Sequence, residues 1–106
     1  MTRRHVVHWT PEAETDVMAI VDHFDDRVNA DKVIVQFDKT AETLNNFPES
    51  GRVVPELRKI GEFRFREIFQ RPWRMVYRID GHDVWIVAVI DGRRALDDFL
   101  FERIIR

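Results

Sequence analysis

The sequence has no cysteine, so neither a disulfide framework nor a thiolate metal site can be built from it, and the absence agrees with a reducing cytoplasm. It also lacks an apolar run of the ~20 residues needed for a bilayer-spanning helix, which predicts a chain that does not insert into membranes. Met1 to Arg4 leads into a short strand pattern rather than an apolar signal core with a small-residue cleavage site, so no secretion signal is expected. A large charge imbalance is missing too. The 17 Lys and Arg against 19 Asp and Glu leave a formal net charge of -2. That balance argues against gripping nucleic acid with the whole surface while leaving room for a local basic face. His5, His8, His23 and His82 are scattered without HExxH spacing, so no metal or other cofactor is expected. There is no internal repeat and no low-complexity tract.

What is present suits one α+β domain over residues 1–106: 44% of the residues are hydrophobic and 34% charged, an ordinary balance for a globular protein. Val6, Val7 and Trp9 predict a short strand, and Thr10-Pro11 supplies a helix N-cap followed by a proline at the first helical position. Val17, Ile20, Val21, Phe24 and Val28 follow in steps of three and four, one stripe of an amphipathic helix, with Glu14, Asp22 and Asp26 opposite. Asn29 or Asp31 then offers a new cap. Val33, Ile34, Phe37, Ala41, Leu44 and Phe47 repeat the helical spacing until Pro48 ends it. The two helices should form an antiparallel hairpin. Residues 48–61, with Pro48, Gly51, Pro55 and Gly61, read as a surface loop.

The aromatic and β-branched segments Phe63–Phe69, Trp73–Ile79 and Val84–Ile90 are separated by Arg71-Pro72 and Asp80-Gly81, which predicts a three-stranded antiparallel meander. Arg64, Arg66 and Ile68 alternate with Phe63, Phe65, Glu67 and Phe69. Arg74, Val76 and Arg78 alternate with Trp73, Met75, Tyr77 and Ile79. This predicts one apolar sheet face and one strongly basic face. Val84–Ile90 is apolar on both sides and needs cover on both faces. The closing amphipathic segment Ala95, Leu96, Phe99, Leu100 and Ile104 is a candidate cover as a C-terminal helix.

The run Phe47-Pro48-Glu49-Ser50-Gly51-Arg52, followed by Pro55-Glu56-Leu57, Arg66-Glu67-Ile68, Trp73-Arg74-Met75-Val76-Tyr77-Arg78-Ile79 and Val89-Ile90-Asp91-Gly92-Arg93-Arg94, resembles the ParE branch of the RelE/ParE toxin superfamily. The resemblance implies a two-layer α+β fold, with a helical hairpin packed on a small antiparallel sheet. It further implies a toxin of a type II toxin–antitoxin or plasmid stabilization system, neutralised by a ParD-like or similar antitoxin. ParE-type members inhibit DNA gyrase. RelE-type members cleave messenger RNA on the ribosome, with basic residues on the sheet and commonly a tyrosine or histidine near the C-terminus.

The basic positions of that nuclease branch fall by resemblance on Arg64, Arg66, Arg74 and Arg93, and its proton-transferring tyrosine on Phe99. Phenylalanine can neither take a proton from a 2′-hydroxyl nor give one to a leaving oxygen. The resemblance thus favours gyrase inhibition, with Arg64, Arg66, Arg74, Arg78, Trp85, Arg93 and Arg94 as candidate antitoxin or target contacts. The alternatives are a ribosome-dependent endoribonuclease and a non-toxic antitoxin-binding module.

A row of arginines is also what a solvated sheet face looks like. Glu67, on the apolar side of its strand by strict alternation, is expected to form a structural ion pair with a loop residue such as Arg52. Adjacent Asp97 and Asp98 diverge by about 100° on a helix and cannot share a reacting atom.

Overall fold

Thr10 and Pro11 start the first helix as their residue types dictate. In the computed structural model, which describes residues 4–92 and 97–105, the Thr10 hydroxyl accepts a hydrogen bond from the Ala13 N–H at 3.2 Å. Strand β1 (Val6–Trp9) therefore passes directly into α1 (Pro11–Val21). That helix is shorter than the apolar stripe predicted. Asp26, rather than Asn29 or Asp31, caps α2 (Arg27–Glu42), its carboxylate accepting from the Val28 N–H at 2.9 Å. Phe24 consequently falls in the link and Val28 on the second helix. A carboxylate two residues before the first free amide wins over continued apolar periodicity, because the capping bond satisfies an otherwise orphan donor.

A 3₁₀ turn (Thr43–Asn45) ends the hairpin. The segment expected to be a plain surface loop instead holds a two-residue strand β2 (Arg52–Val53) and a single helical turn α3 (Pro55–Arg58), started by Pro55. Its apolar residues Val54 and Leu57 are buried, which is why the segment is fixed on the sheet. The meander follows as β3 (Phe65–Gln70), β4 (Trp73–Asp80) and β5 (Asp83–Asp91), and α4 (Asp97–Ile105) closes the chain.

The sheet order is β1-β5-β4-β3-β2. All pairings are antiparallel except β1 with β5, which is parallel. Gly81, with φ of +60°, opens the two-residue turn between β4 and β5, where positive φ favours glycine. Against one face of the sheet, Ala13, Val17, Val33, Phe37, Ala41 and Leu44 of the hairpin pack on Met75, Tyr77, Val84 and Ile86. Against the other, Val54, Leu57 and Leu100 pack on Phe65, Val76, Ala88 and Ile90. β5 thus has the double cover its composition demanded, and α4 provides part of it through Leu100. A bulge opposite Val76/Tyr77 leaves Val87 as the extra residue, so that Val87 and Ala88 both enter the second core. Among the described residues no helix is long and apolar enough to cross a membrane.

The register corrects the expectation of a single basic face. β3 and β4 are joined by the two-residue turn Arg71-Pro72, pairing Gln70 with Trp73, Phe69 with Arg74 and Phe65 with Arg78. Odd positions of β3 therefore share a face with even positions of β4. Arg66 lies on the hairpin face beside Tyr77, whereas Arg74 and Arg78 lie on the opposite face with Phe65, Glu67 and Phe69. Arg64 precedes the strand altogether.

Candidate functional site

Glu67 stands in the middle of β3 with its side chain wholly buried, a position a carboxylate occupies only when its charge is met. Arg52 of β2 meets it from one side, Nε to Oε2 at 2.7 Å, and Arg74 of β4 from the other through its own Nε. The ion pair expected between Glu67 and Arg52 is present. Arg74 extends the network: its two terminal nitrogens donate to both oxygens of Glu56 at 2.7 and 2.8 Å. Pro55 places Glu56 in the first turn of α3, which aims the carboxylate back at the sheet. The hydrogen bonds from Arg74 hold the Glu56 carboxyl below its ordinary 4.5, and those from Glu56 and Glu67 push the Arg74 guanidinium above its ordinary value.

A pH dependence follows. A carboxyl with a depressed folded pKa adds stability that is fully present above its unfolded value and is lost as pH falls through the folded one. The thermal midpoint is expected to fall as pH drops below about 4.5, Glu56's ordinary value, and Glu56→Gln should make that fall shallower while lowering the midpoint at pH 7. A melting series against pH for both proteins checks this; parallel curves would remove Glu56 from the account.

Beside this network lies a second one, centred on the only tyrosine. The buried Tyr77 hydroxyl accepts from the Gly51 N–H at 3.0 Å and donates to the Pro48 carbonyl at 2.7 Å. Arg66 donates to the Gly51 carbonyl at 2.8 Å. A Cβ on residue 51 would stand 2.5 Å from the Glu67 carbonyl oxygen and 2.6 Å from the tyrosine hydroxyl, so only glycine fits. Burial pushes the Tyr77 phenol up. Tyr77→Phe, which leaves the amide of Gly51 and the carbonyl of Pro48 without their partner, is expected to cost about 1–3 kcal/mol in denaturant unfolding. No measurable loss would mean that segment 47–52 is held by other contacts.

The motif residues Gly51, Glu56, Glu67, Arg74 and Tyr77 therefore spend their chemistry inside the molecule, while Arg52 commits its Nε to Glu67 and leaves the rest of its side chain largely exposed. Arg74 is 7% exposed, and a change there disturbs the fold before it tests any partner. Arg64 is exposed but closed by Glu62, with Nε at 2.9 Å and Nη2 at 2.7 Å from its carboxylate. Those bonds pull the Glu62 carboxyl down to about 2. Arg78 and Trp85 are neighbours across the β4–β5 ladder, the guanidinium carbon 6.0 Å from the ring centroid. Trp85 stacks at 4.4 Å on His8, which in turn bonds Asp83 at 2.8 Å. Arg93 and Arg94 lie outside the described residues.

Arg78 also lines a 590 Å³ cavity, with Phe65, Val87, Phe99 and Arg103. Phe99 lies at its α4 wall, its ring 4.6 Å from the Arg103 guanidinium carbon. Arg103 anchors α4 to α1 by bonding Asp16 at 2.9 and 3.2 Å, and Asp16 also accepts from the Val89 N–H at 3.0 Å. Neither Asp16 nor Glu56 emerges as a partner of these arginines from the sequence alone. The one available signal was a carboxylate flanking an apolar stripe, or following a helix-starting proline. Among the described residues no three His, Asp or Glu side chains gather as a metal site would require.

Three comparisons bear on this geometry. The model of the family described as ParE toxin of type II toxin-antitoxin system, parDE, matches residues 7–96. Toxin ParE3 of Caulobacter vibrioides is 38% identical over 53 residues, 50% of this chain and 49% of that protein, so the match spans about half the relative's length. Among solved structures, a chain of the chromosomal ParDE TA system from P. aeruginosa superimposes with a TM-score of 0.70 at 20% identity, covering 85% of this chain and 98% of that one. At that identity the likeness speaks for the fold, and it reproduces the α+β arrangement described above.

Proposed function

The chain belongs to the ParE toxin family of type II toxin–antitoxin systems, and from that premise we propose that it arrests bacterial growth by binding DNA gyrase in the cytoplasm and is neutralised by a cognate ParD-like antitoxin. The observation that favours binding over messenger-RNA cleavage is where the basic residues lie. A nuclease needs its cations converging on one phosphate. Here Arg66 faces the hairpin and Arg74 the opposite side. Arg74 is closed by Glu56 and Glu67, and Arg64 by Glu62. At the position where a proton-transferring tyrosine would stand, Phe99 offers only hydrocarbon.

Arg78 and Trp85 are the contacts we assign to a partner on the sheet, since a half-buried aromatic beside an arginine is the composition of a binding anchor. Arg93 and Arg94 remain candidates as well, and Arg64 adds an exposed guanidinium, whereas Arg66, on the hairpin face, is a candidate only for a partner that reaches that side. The antitoxin segment would act by covering apolar surface and guanidinium groups together. Expression of the chain alone tests the reading. Growth should stop with bulk messenger RNA intact, and co-expression of the antitoxin encoded beside it should restore division. Normal growth with folded protein present would leave only a non-toxic antitoxin-binding module, and messenger-RNA cleavage on the ribosome would move the chain to the nuclease branch.

A further inference from the structure

At the β3–β4 turn the chain forms a cleft of about 450 Å³ lined by Arg52, Phe69, Arg71, Pro72, Arg74 and Gly92. It lies apart from the Arg78–Trp85 pair and takes no part in the contacts assigned above. Arg52 commits its Nε to Glu67, but its side chain is 57% exposed. Among the described residues Arg71 makes no ion pair and no hydrogen bond; its described partner is the ring of Phe69, 5.8 Å from the guanidinium carbon. Arg52 stands 5.2 Å from the same ring. Phe69 itself is 43% exposed, a large apolar side chain at a sheet edge with two cations beside it. Among the described residues three guanidiniums line the cleft against the two carboxylates that bond them, Glu56 and Glu67, so one positive charge is left over among these five groups.

The backbone beside the cleft is open as well. β2 pairs only with Arg66 and Glu67, and among the described residues β3 continues from Ile68 to Gln70 with no strand on its outer side. The Phe65 carbonyl points outward, since it accepts from the Val54 N–H. Alternation then turns the N–H and C=O of Phe69 to the same edge. An edge of this kind accepts an extended segment as an added strand.

We propose that this cleft receives an extended acidic segment of the neutralising antitoxin, with an Asp or Glu carboxylate across Arg52 and Arg71 and the segment's backbone alongside Phe69. The inference rests on the neutralisation reading above. Carboxylate is favoured over nucleic-acid phosphate on two grounds. Arg52 and Arg74 already bond carboxylates at 2.7–2.8 Å, and the backbone edge at Phe69 matches the main-chain donors and acceptors of an extended peptide, which a nucleic acid does not carry.

The test is calorimetric titration of the full chain with the antitoxin encoded beside it. Arg71→Glu should weaken binding on the order of 10- to 100-fold, the usual consequence of losing a charge-assisted bond. Its melting temperature should be unchanged, because Arg71 has no described internal ion pair to lose. Phe69→Ala should weaken binding in the same direction, and Lys32→Gln, on exposed α2, should leave it as in the wild type. Wild-type affinity in Arg71→Glu, with a normal complex otherwise, overturns the cleft and leaves neutralisation standing. No complex with the wild-type chain overturns both. A single-stranded oligonucleotide that binds the chain and is lost in Arg71→Glu, while antitoxin binding is not, reassigns the cleft to phosphate and overturns the proposal.

Discussion

Arg74→Ala is expected to lower the unfolding free energy by about 3–5 kcal/mol, the cost of removing one partner from a buried ion pair. Glu67 has no exposed side-chain surface, so its charge cannot turn to water when Arg74 is gone, and Arg52 alone would have to hold it from a largely exposed position. Glu56 is less affected because it retains some access to solvent. Pairing the loss with Glu67→Leu removes the stranded charge and should recover much of the stability, although Arg74→Ala alone does not. Urea unfolding of both variants decides the matter. A loss below about 1 kcal/mol in Arg74→Ala would place it in the range of exposed pairs and contradict the buried network.

The second large effect belongs to α4. Leu100 has no exposed surface and joins the core formed by Val54, Leu57, Phe65, Val76 and Ala88. Leu100→Ala should cost about 2–5 kcal/mol, the transfer of the lost methylenes plus the cavity left behind. Because the Arg103–Asp16 pair still ties the helix to α1, the amides of α4 should exchange faster while those of β4 keep their protection. Uniform acceleration through the whole sheet would mean that α4 and the sheet open as one unit.

Most of the element order was readable from periodicity and turn chemistry. Thr10-Pro11, the three aromatic and β-branched strands and the doubly apolar β5 each carry a local cause that the tertiary structure does not override. Two features escaped for physical reasons. The cap of α2 depended on which of several acidic or amide residues reached a free amide, and Asp26 did so while the apolar spacing ran on past it. The segment 48–61 looked polar and broken by Pro and Gly, yet it is pinned by long-range bonds to Tyr77 and Glu67 that no local pattern encodes.

The face assignment is a different case, because its cause was in the sequence. A two-residue turn makes the paired positions sum to an odd number, so strict alternation within each strand sets the arginines of β3 and β4 on opposite faces. For the same reason Glu67 and Arg74 come to share one face and can bond. Of the candidate site, the Glu67–Arg52 pair was legible from burial logic alone. The Glu56 clamp on Arg74 and the Asp16 clamp on Arg103 were not, since each joins elements distant in the chain.

The central reading, a gyrase-directed toxin held by its antitoxin, is tested most directly by negative supercoiling of relaxed plasmid with purified gyrase in the presence of the purified chain. The account predicts that supercoiling is inhibited in proportion to added chain and restored when the antitoxin encoded beside it is supplied in excess. Unaffected supercoiling, together with cleavage of messenger RNA in a purified translating ribosome system, would contradict it.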